Sequence, residues 1–190
     1  MKELISLAVK EYIASLQRKG QVLEDLLNKI NECSQILEKY TKFDTVSGVF
    51  DLKFEEDRVY IEEGDVLGGK DIYNHLFGYN KAFFFIVTLG AEIDRQINLL
   101  QYKDLSLSYI LDELASILVD IKSQKIEDII RNNYDNSIRY SCGYGDYSIA
   151  YQTNICNLLK SEKIGVLITN GGMLKPTKTI SAVIGIKEKI

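Results

Sequence analysis

The sequence predicts an α+β fold, in which N-terminal helices precede a central, largely antiparallel sheet with further helices packed around it. Three observations lead there. Apolar residues recur at helical spacing from Ile5 to Leu37. The period then changes to two, between Phe50 and Ile61 and again between Ile180 and Ile186. A dense apolar segment, Ala82 to Leu89, is too short and too aromatic for a typical helix and reads as a buried strand. At 190 residues, 46% of them hydrophobic, the chain has the length of one domain and enough apolar material for a core. The expected division is one domain over 1–190, with a helical segment 1–42 and an α+β core 43–190.

The elements follow in order. Ile5, Ala8, Val9, Tyr12, Ile13 and Leu16 mark a first helix, and Leu23, Leu26, Leu27, Ile30 and Leu37 a second, with a joint near Lys19-Gly20. Phe50, Leu52 and Phe54 alternate with Asp51 and Lys53, Glu56-Asp57 offers a turn, and Val59 and Ile61 resume the alternation: a β-hairpin. After Gly64-Asp65 and Gly68-Gly69, the Asp71 carboxylate is placed to cap a short helix, Ile72 to Phe77. Gly90 ends the Ala82–Leu89 strand. A helix is predicted from Ala91 to Leu100, and a long one from Ser106 through Ile110, Leu114, Leu118 and Ile121 to Ile129. A stretch rich in glycine and tyrosine, Arg139 to Asp146, leads to a helical pattern at Ile149, Gln152, Ile155, Leu158 and Leu159, with Asp146 or Ser148 as its cap. The C-terminal strand runs through Ile180, Ala182, Ile184 and Ile186. Val166 and Ile168 are its expected partner strand across an Asn170-Gly171-Gly172 turn.

Composition excludes several functions. With 27 acidic against 23 basic side chains, the net charge is −4 when the one histidine is neutral, and no polybasic run is present. The electrostatic term that dominates phosphate-backbone binding is absent, so no nucleic-acid partner is expected. The longest apolar run falls far short of the roughly 20 residues of a membrane-spanning helix. The N-terminus carries an acid at Glu3 and resembles no signal-peptide core, so a cytoplasmic protein with no membrane partner is expected. Cys33, Cys142 and Cys156 are odd in number and widely spaced, which argues against a disulfide framework and for a reducing compartment.

Few side chains suit catalysis. His75 stands alone, so a His-rich metal centre is excluded, and its plain role is on the surface or in helix packing. Asp112, Glu113, Asp120, Glu127 and Asp128 on the long helix read as a solvated face. Phe83-Phe84-Phe85 reads as core. Gly64 to Gly69 lacks the Lys-Ser/Thr of a phosphate-binding loop. Cys142, with no histidine or second cysteine near it in sequence, reads as a small buried side chain. The segment around Arg139 fits two roles. A guanidinium matches a carboxylate or phosphate, glycines let backbone N–H groups approach a ligand, and a tyrosine ring attracts a cation; equally, Arg139 fits a salt bridge that braces the turn.

The order of residues from there is specific. Arg139, Gly143-Tyr144-Gly145-Asp146, Gln152 and Leu158-Leu159 are followed by Ile164-Gly165-Val166, Ile168-Thr169-Asn170-Gly171, Met173-Leu174-Lys175-Pro176 and Thr179-Ile180-Ser181-Ala182. On these motifs the chain resembles the reactivation domain of cobalamin-dependent methionine synthase, more closely its stand-alone relatives in anaerobic bacteria. Gly69-Lys70-Asp71-Ile72, Thr88-Leu89-Gly90 and Leu111-Asp112 extend the resemblance, which covers roughly Phe50 to Ile186. Three positions depart from the family pattern: Cys142 stands for its common proline, Asn170-Gly171 for a Glu-Ser pair, and Asp120 for its usual glutamate.

The resemblance implies an activation-domain fold and S-adenosylmethionine as ligand. It assigns Arg139 to the methionine carboxylate, Gly143 and Tyr144 to contacts through backbone and ring, Asp146 to the same loop, and Asp120 to the ligand's amino group or ribose. It implies positioning rather than acid/base catalysis, so no catalytic and no metal-ligating residue is assigned. The expected function is support for reductive methylation of cob(II)alamin on a separate corrinoid methionine synthase or methyltransferase, with a flavodoxin- or ferredoxin-type reductant. Cobalamin is expected on that partner only, since no Asp-x-His-x-x-Gly loop is seen here. Two other readings of the same fold stay open: a ligand-binding regulatory protein without catalysis, and a structural interaction module.

Overall fold

The computed structural model describes residues 1–18, 24–56, 58–61 and 66–189. The predicted joint at Lys19-Gly20, Leu23 of the second helix, Asp57 of the hairpin turn and the Gly64-Asp65 pair lie outside the described residues.

The chain is α+β. Helices α1 (Lys2–Arg18) and α2 (Glu24–Tyr40) precede β1 (Asp44–Glu55), β2 (Arg58–Ile61) and β3 (Val66–Leu67). Then come α3 (Lys70–Leu76), β4 (Lys81–Thr88), α4 (Ala91–Gln101), α5 (Leu105–Asn133) and β5 (Tyr134–Asn136). A 3₁₀ turn at Ile149–Tyr151 leads into α6 (Gln152–Leu159), followed by β6 (Leu167–Ile168), β7 (Leu174–Lys175) and β8 (Thr179–Glu188). Six strands form one antiparallel sheet in the order β3-β2-β1-β4-β8-β5, while β6 and β7 make a separate two-stranded hairpin.

The period of two explains why this sheet is buried on both faces at its centre. Phe85 and Val87 of β4, with Ala182, Ile184 and Ile186 of β8, point into one core with α1, α2, α4 and α5. Ala82, Phe84 and Ile86, with Val183, point into a second core with Ile72 and Leu76 of α3, Ile155 and Leu159 of α6, and Tyr147. The apolar run at Phe83-Phe84-Phe85 is therefore core split between two faces, as a strand covered on both sides requires. Helix α5, 29 residues long, is the spine of the first layer, with Leu111, Leu114, Ala115 and Leu118 fully buried. Among the described residues no helix is long and apolar enough to cross a membrane.

Two local expectations are corrected. Leu167–Ile168 pairs with Leu174–Lys175, not with the C-terminal strand. The turn at residues 169–172 is tight, with the Gly172 N–H donating to the Thr169 carbonyl, so it closes a short hairpin whose strands are two residues each; β8 is instead zipped to β4 from Thr179 to Ile186. The N-terminus of α3 is not capped by Asp71, which lies in its first turn; it is capped from 75 residues away by Asp146. The cap of the 3₁₀ turn before α6 is Ser148, whose hydroxyl accepts from the Ala150 N–H.

Leu114→Ala empties a fully buried position in the first core and should cost about 2–5 kcal/mol, whereas Leu105→Ala, on an exposed first-turn residue, should leave the urea midpoint nearly unchanged. Asp104 caps α5 by accepting from the Leu107 N–H at 3.0 Å, and Lys29 Nζ donates to it at 2.8 Å. Chiefly through Lys29, then the Leu107 N–H, its carboxyl is held down at about 2, against an ordinary 3.8. A carboxylate lowered on folding stabilises the fold above about 3.8, and that contribution is lost as pH falls through about 2. Asp104→Ala should therefore be less stable than the parent at neutral pH, with the difference shrinking on acidification; a pH-independent difference would contradict the ion pair.

Candidate functional site

A cleft of about 600 Å³ opens where the sheet loses a strand. On the side of β8 away from β4, β5 covers its C-terminal end, and a single bridge joins Tyr140 to Val183. Beyond Val183, toward Thr179, no strand pairs with that side among the described residues. The chain from Ser141 turns away, and its hydroxyl takes the Ser181 carbonyl at 2.7 Å in place of a ladder bond. The bare edge at Thr179–Ser181 is one wall of the cleft. Arg139 and Tyr140 form another, and Ile149 with Gln152 a third; Met173 and Leu174 of the small hairpin close the far side. Gln152, itself buried, accepts from Ser181 Oγ at 3.1 Å, which ties α6 to the sheet at the cleft floor.

Arg139 and Lys175 both line this cleft, and of the two Arg139 is the one paired there with an acid. Its Nη2 donates to Asp120 Oδ1 at 2.7 Å, and its Nε lies 3.5 Å from Glu127 Oε2. Asp120 and Glu127 stand two helical turns apart on α5, so they share a face. Glu127 is buried and is shared with Arg131, whose Nη2 donates to its other oxygen at 2.9 Å. The chain on either side of Arg139 is fixed from α3: the His75 Nε2–H donates to the Ile138 carbonyl at 2.8 Å, and the His75 ring stacks on Tyr140 at 4.8 Å. Donation to a carbonyl fixes the proton on Nε2. Burial lowers the His75 pKa, more than the Ile138 bond raises it, so the ring is neutral near pH 7.

Of the residues singled out in sequence, the fold brings Arg139, Tyr144 and Asp120 to the cleft. Tyr144 is exposed, with its ring 6.0 Å from that of Tyr140. Gly143 and Asp146 sit behind the wall rather than on it. Gly143 has φ +92° and spends its N–H on the Tyr147 carbonyl at 2.7 Å. The Asp146 carboxylate accepts from the backbone N–H groups of Lys70 and Asp71 at 2.7 and 2.9 Å, while the Asp146 N–H donates to Asp71 Oδ2 at 3.1 Å. This reciprocal bond explains Gly145: it has φ +53°, and a Cβ there would lie 2.0 Å from Asp71 Oδ2.

Sequence reasoning passed over Glu127, Gln152 and His75 as site-forming residues. The seven-residue spacing of Glu127 from Asp120 was the available signal. Cys142 does line the cleft, but burial pushes its thiol up to about 11, so it is protonated near pH 7 and no nucleophile. Tyr147 beside it is fully buried, and burial raises its pKa. No group of three metal-ligating side chains occurs among the described residues.

Loss of the Asp146 brace leaves two α3 N–H groups without their acceptor. Asp146→Ala should cost about 0.5–2 kcal/mol, the range of lost helix caps, and should raise amide exchange at Lys70 and Asp71 more than at α5. Unchanged protection there would show that water replaces the carboxylate at no cost.

No protein-family model and no curated protein matches the chain. Among solved structures it is similar to the crystal structure of the MetH reactivation domain bound to AdoHcy, with a TM-score of 0.63 and 17% sequence identity, over 93% of this chain and 67% of that one. At that identity the likeness shows the fold: this chain has the architecture of the methionine synthase reactivation domain, an antiparallel sheet with helices packed on it.

Proposed function

We propose that the cleft binds S-adenosylmethionine or its demethylated product, S-adenosylhomocysteine, and that the protein supports reductive methylation of cob(II)alamin held by a separate corrinoid methionine synthase or methyltransferase. The observation that carries this reading is the Arg139 guanidinium on the wall of a cleft that also presents apolar and aromatic side chains, Ile149, Met173 and Tyr144, and the polar groups of Gln152 and Ser181. The fold it shares with a domain bound to AdoHcy supports it.

The residues fit such a ligand by chemistry. Arg139 offers charge-assisted donors to the amino-acid carboxylate, and Asp120 at the cleft's edge a counter-charge for the ammonium. Tyr144 presents a ring face to a sulfonium, and Ile149 and Met173 an apolar surface to adenine. A volume of about 600 Å³ falls within the roughly 300–1,000 Å³ of small-molecule sites. Bound S-adenosylmethionine supplies an activated methyl group; an electron for the cobalt would come from a flavodoxin- or ferredoxin-type reductant. The chain's own part is to hold the donor in one orientation against the partner, a contribution of positioning with no proton transfer.

A second reading has one observation in its favour. Arg139 already has two carboxylate partners, as it would in a regulatory or interaction module of the same fold that needs no ligand. Isothermal titration separates the two. Saturable binding of S-adenosylmethionine is expected, weakened by about 10- to 150-fold in Arg139→Ala, the loss for hydrogen bonds to a charged group. No heat and no thermal stabilisation at millimolar ligand would leave the structural module standing.

A further inference from the structure

The two acids on Arg139 differ in the one property that decides whether an ion pair can exchange. The Glu127 side chain is 4% exposed and that of Asp120 is 58% exposed. Each Glu127 oxygen faces a different guanidinium, Oε2 toward Arg139 and Oε1 toward Arg131. Moving it away from Arg139 would leave its buried Oε2 without a cation while Arg131 keeps Oε1 in place, so Glu127 has no solvated position to retreat to. Asp120 can leave its shorter contact and be solvated at once, as exposed pairs contribute little. Asp120 also lines the cleft, so the Nη2 edge it holds is an edge that a carboxylate entering the cleft would need.

We propose that Glu127 is the positioning residue that fixes the Arg139 guanidinium, and that Asp120 is an internal stand-in for a ligand carboxylate, displaced when the ligand binds. This rests on the reading that the cleft takes an adenosyl amino acid. In the free protein the Asp120 carboxylate satisfies Nη2; on binding, the ligand carboxylate replaces it, and Glu127 keeps Nε in place throughout. The exchange is one carboxylate for another, so the guanidinium is never unpaired. Asp120 thereby sets a selectivity: a ligand without a carboxylate gains nothing by displacing it.

The test uses two probes and one spectroscopic signature. 4-(5′-Adenosylthio)butanoate keeps the carboxylate of S-adenosylhomocysteine and lacks its amine; 5′-methylthioadenosine lacks both. Asp120→Ala sits in an exposed part of α5 where alanine suits the helix. It should raise the ratio of affinities, acid over methylthioadenosine, by about fivefold, the worth of one exposed ion pair. Glu127→Gln should lower the same ratio. Arginine side-chain NMR reads the free protein without ligand: Asp120→Ala should release the Arg139 Nη protons to fast exchange and leave Nε–H protected, and Glu127→Gln the reverse. A ratio that falls or stays level in Asp120→Ala overturns the displacement while ligand binding itself stands. Equal exchange of Nη and Nε in Asp120→Ala overturns the division of roles whatever binds. Absence of binding by both probes and by S-adenosylmethionine, with the NMR asymmetry present, overturns the ligand reading and the displacement together, leaving Arg139 a structural tie.

Discussion

Burial of the central sheet on both faces is the constraint on which the rest of the structure depends. Along β4 and β8, alternate side chains are committed to two different cores, one with α5 and one with α3 and α6. A polar or mobile ligand-binding group within those strands would sit in one core or the other at a cost of several kcal/mol for an unpaired polar atom. A site can form only where the sheet stops being paired. That place is the edge of β8 near Thr179–Ser181, which the chain abandons after a single bridge at Tyr140. The cleft thus follows from the register of β8: its C-terminal end is covered by β5, its N-terminal end is not.

Electrostatics then depend on α5. Its buried stripe packs on the sheet, and the flank of that stripe carries Asp112, Asp120 and Glu127 toward the connections between strands. Each acid meets a cation from the C-terminal third of the chain: Lys178 at 2.8 Å from Asp112, and Arg139 near the other two. Lys178 is itself buried and also donates to Ser116 at 2.9 Å. Such pairs add little net stability against apolar replacements, but breaking one leaves a buried charge uncompensated. Their effect is to fix where the segments around Arg139 and Thr179 run relative to a rigid helix.

The periodic elements were legible in sequence because their cause is local. Helices α1, α4 and α5 and strand β4 declare themselves through side-chain spacing, and Gly90, with φ +87°, ends the strand where a positive angle is needed. What the sequence hid was pairing across distance. The alternation at Ile180–Ile186 says that a strand exists, not which strand it meets, and the nearby Val166–Ile168 was the natural but incorrect partner. Asp71 and Asp146 look like caps for the helices that follow each of them, yet Asp146 caps α3, and only the folded chain brings the two together. Of the site, Arg139 and Tyr144 stand in an ordered set of motifs, and Asp120 follows only from the resemblance that those motifs carry. Glu127 reads in sequence as one more solvated acid, because amphipathic spacing cannot register a guanidinium arriving from another segment.

The wall that carries Arg139 and Tyr144 is held at three points, two of them from α3 and one from α5. Asp71 and Asp146 lock its far end to α3 through paired backbone bonds, His75 grips it on either side of Arg139, and Glu127 holds the guanidinium from α5. A loop so tied loses little further freedom when a ligand arrives, and ordering entropy is among the main costs of binding. The price of that rigidity is adaptability: Gly145 admits no side chain against Asp71, and Gly143 has no N–H left to offer. Binding in this cleft therefore has to come from side chains already in place and from the open edge of β8, with Asp120, the most exposed member of the network, as the part free to move.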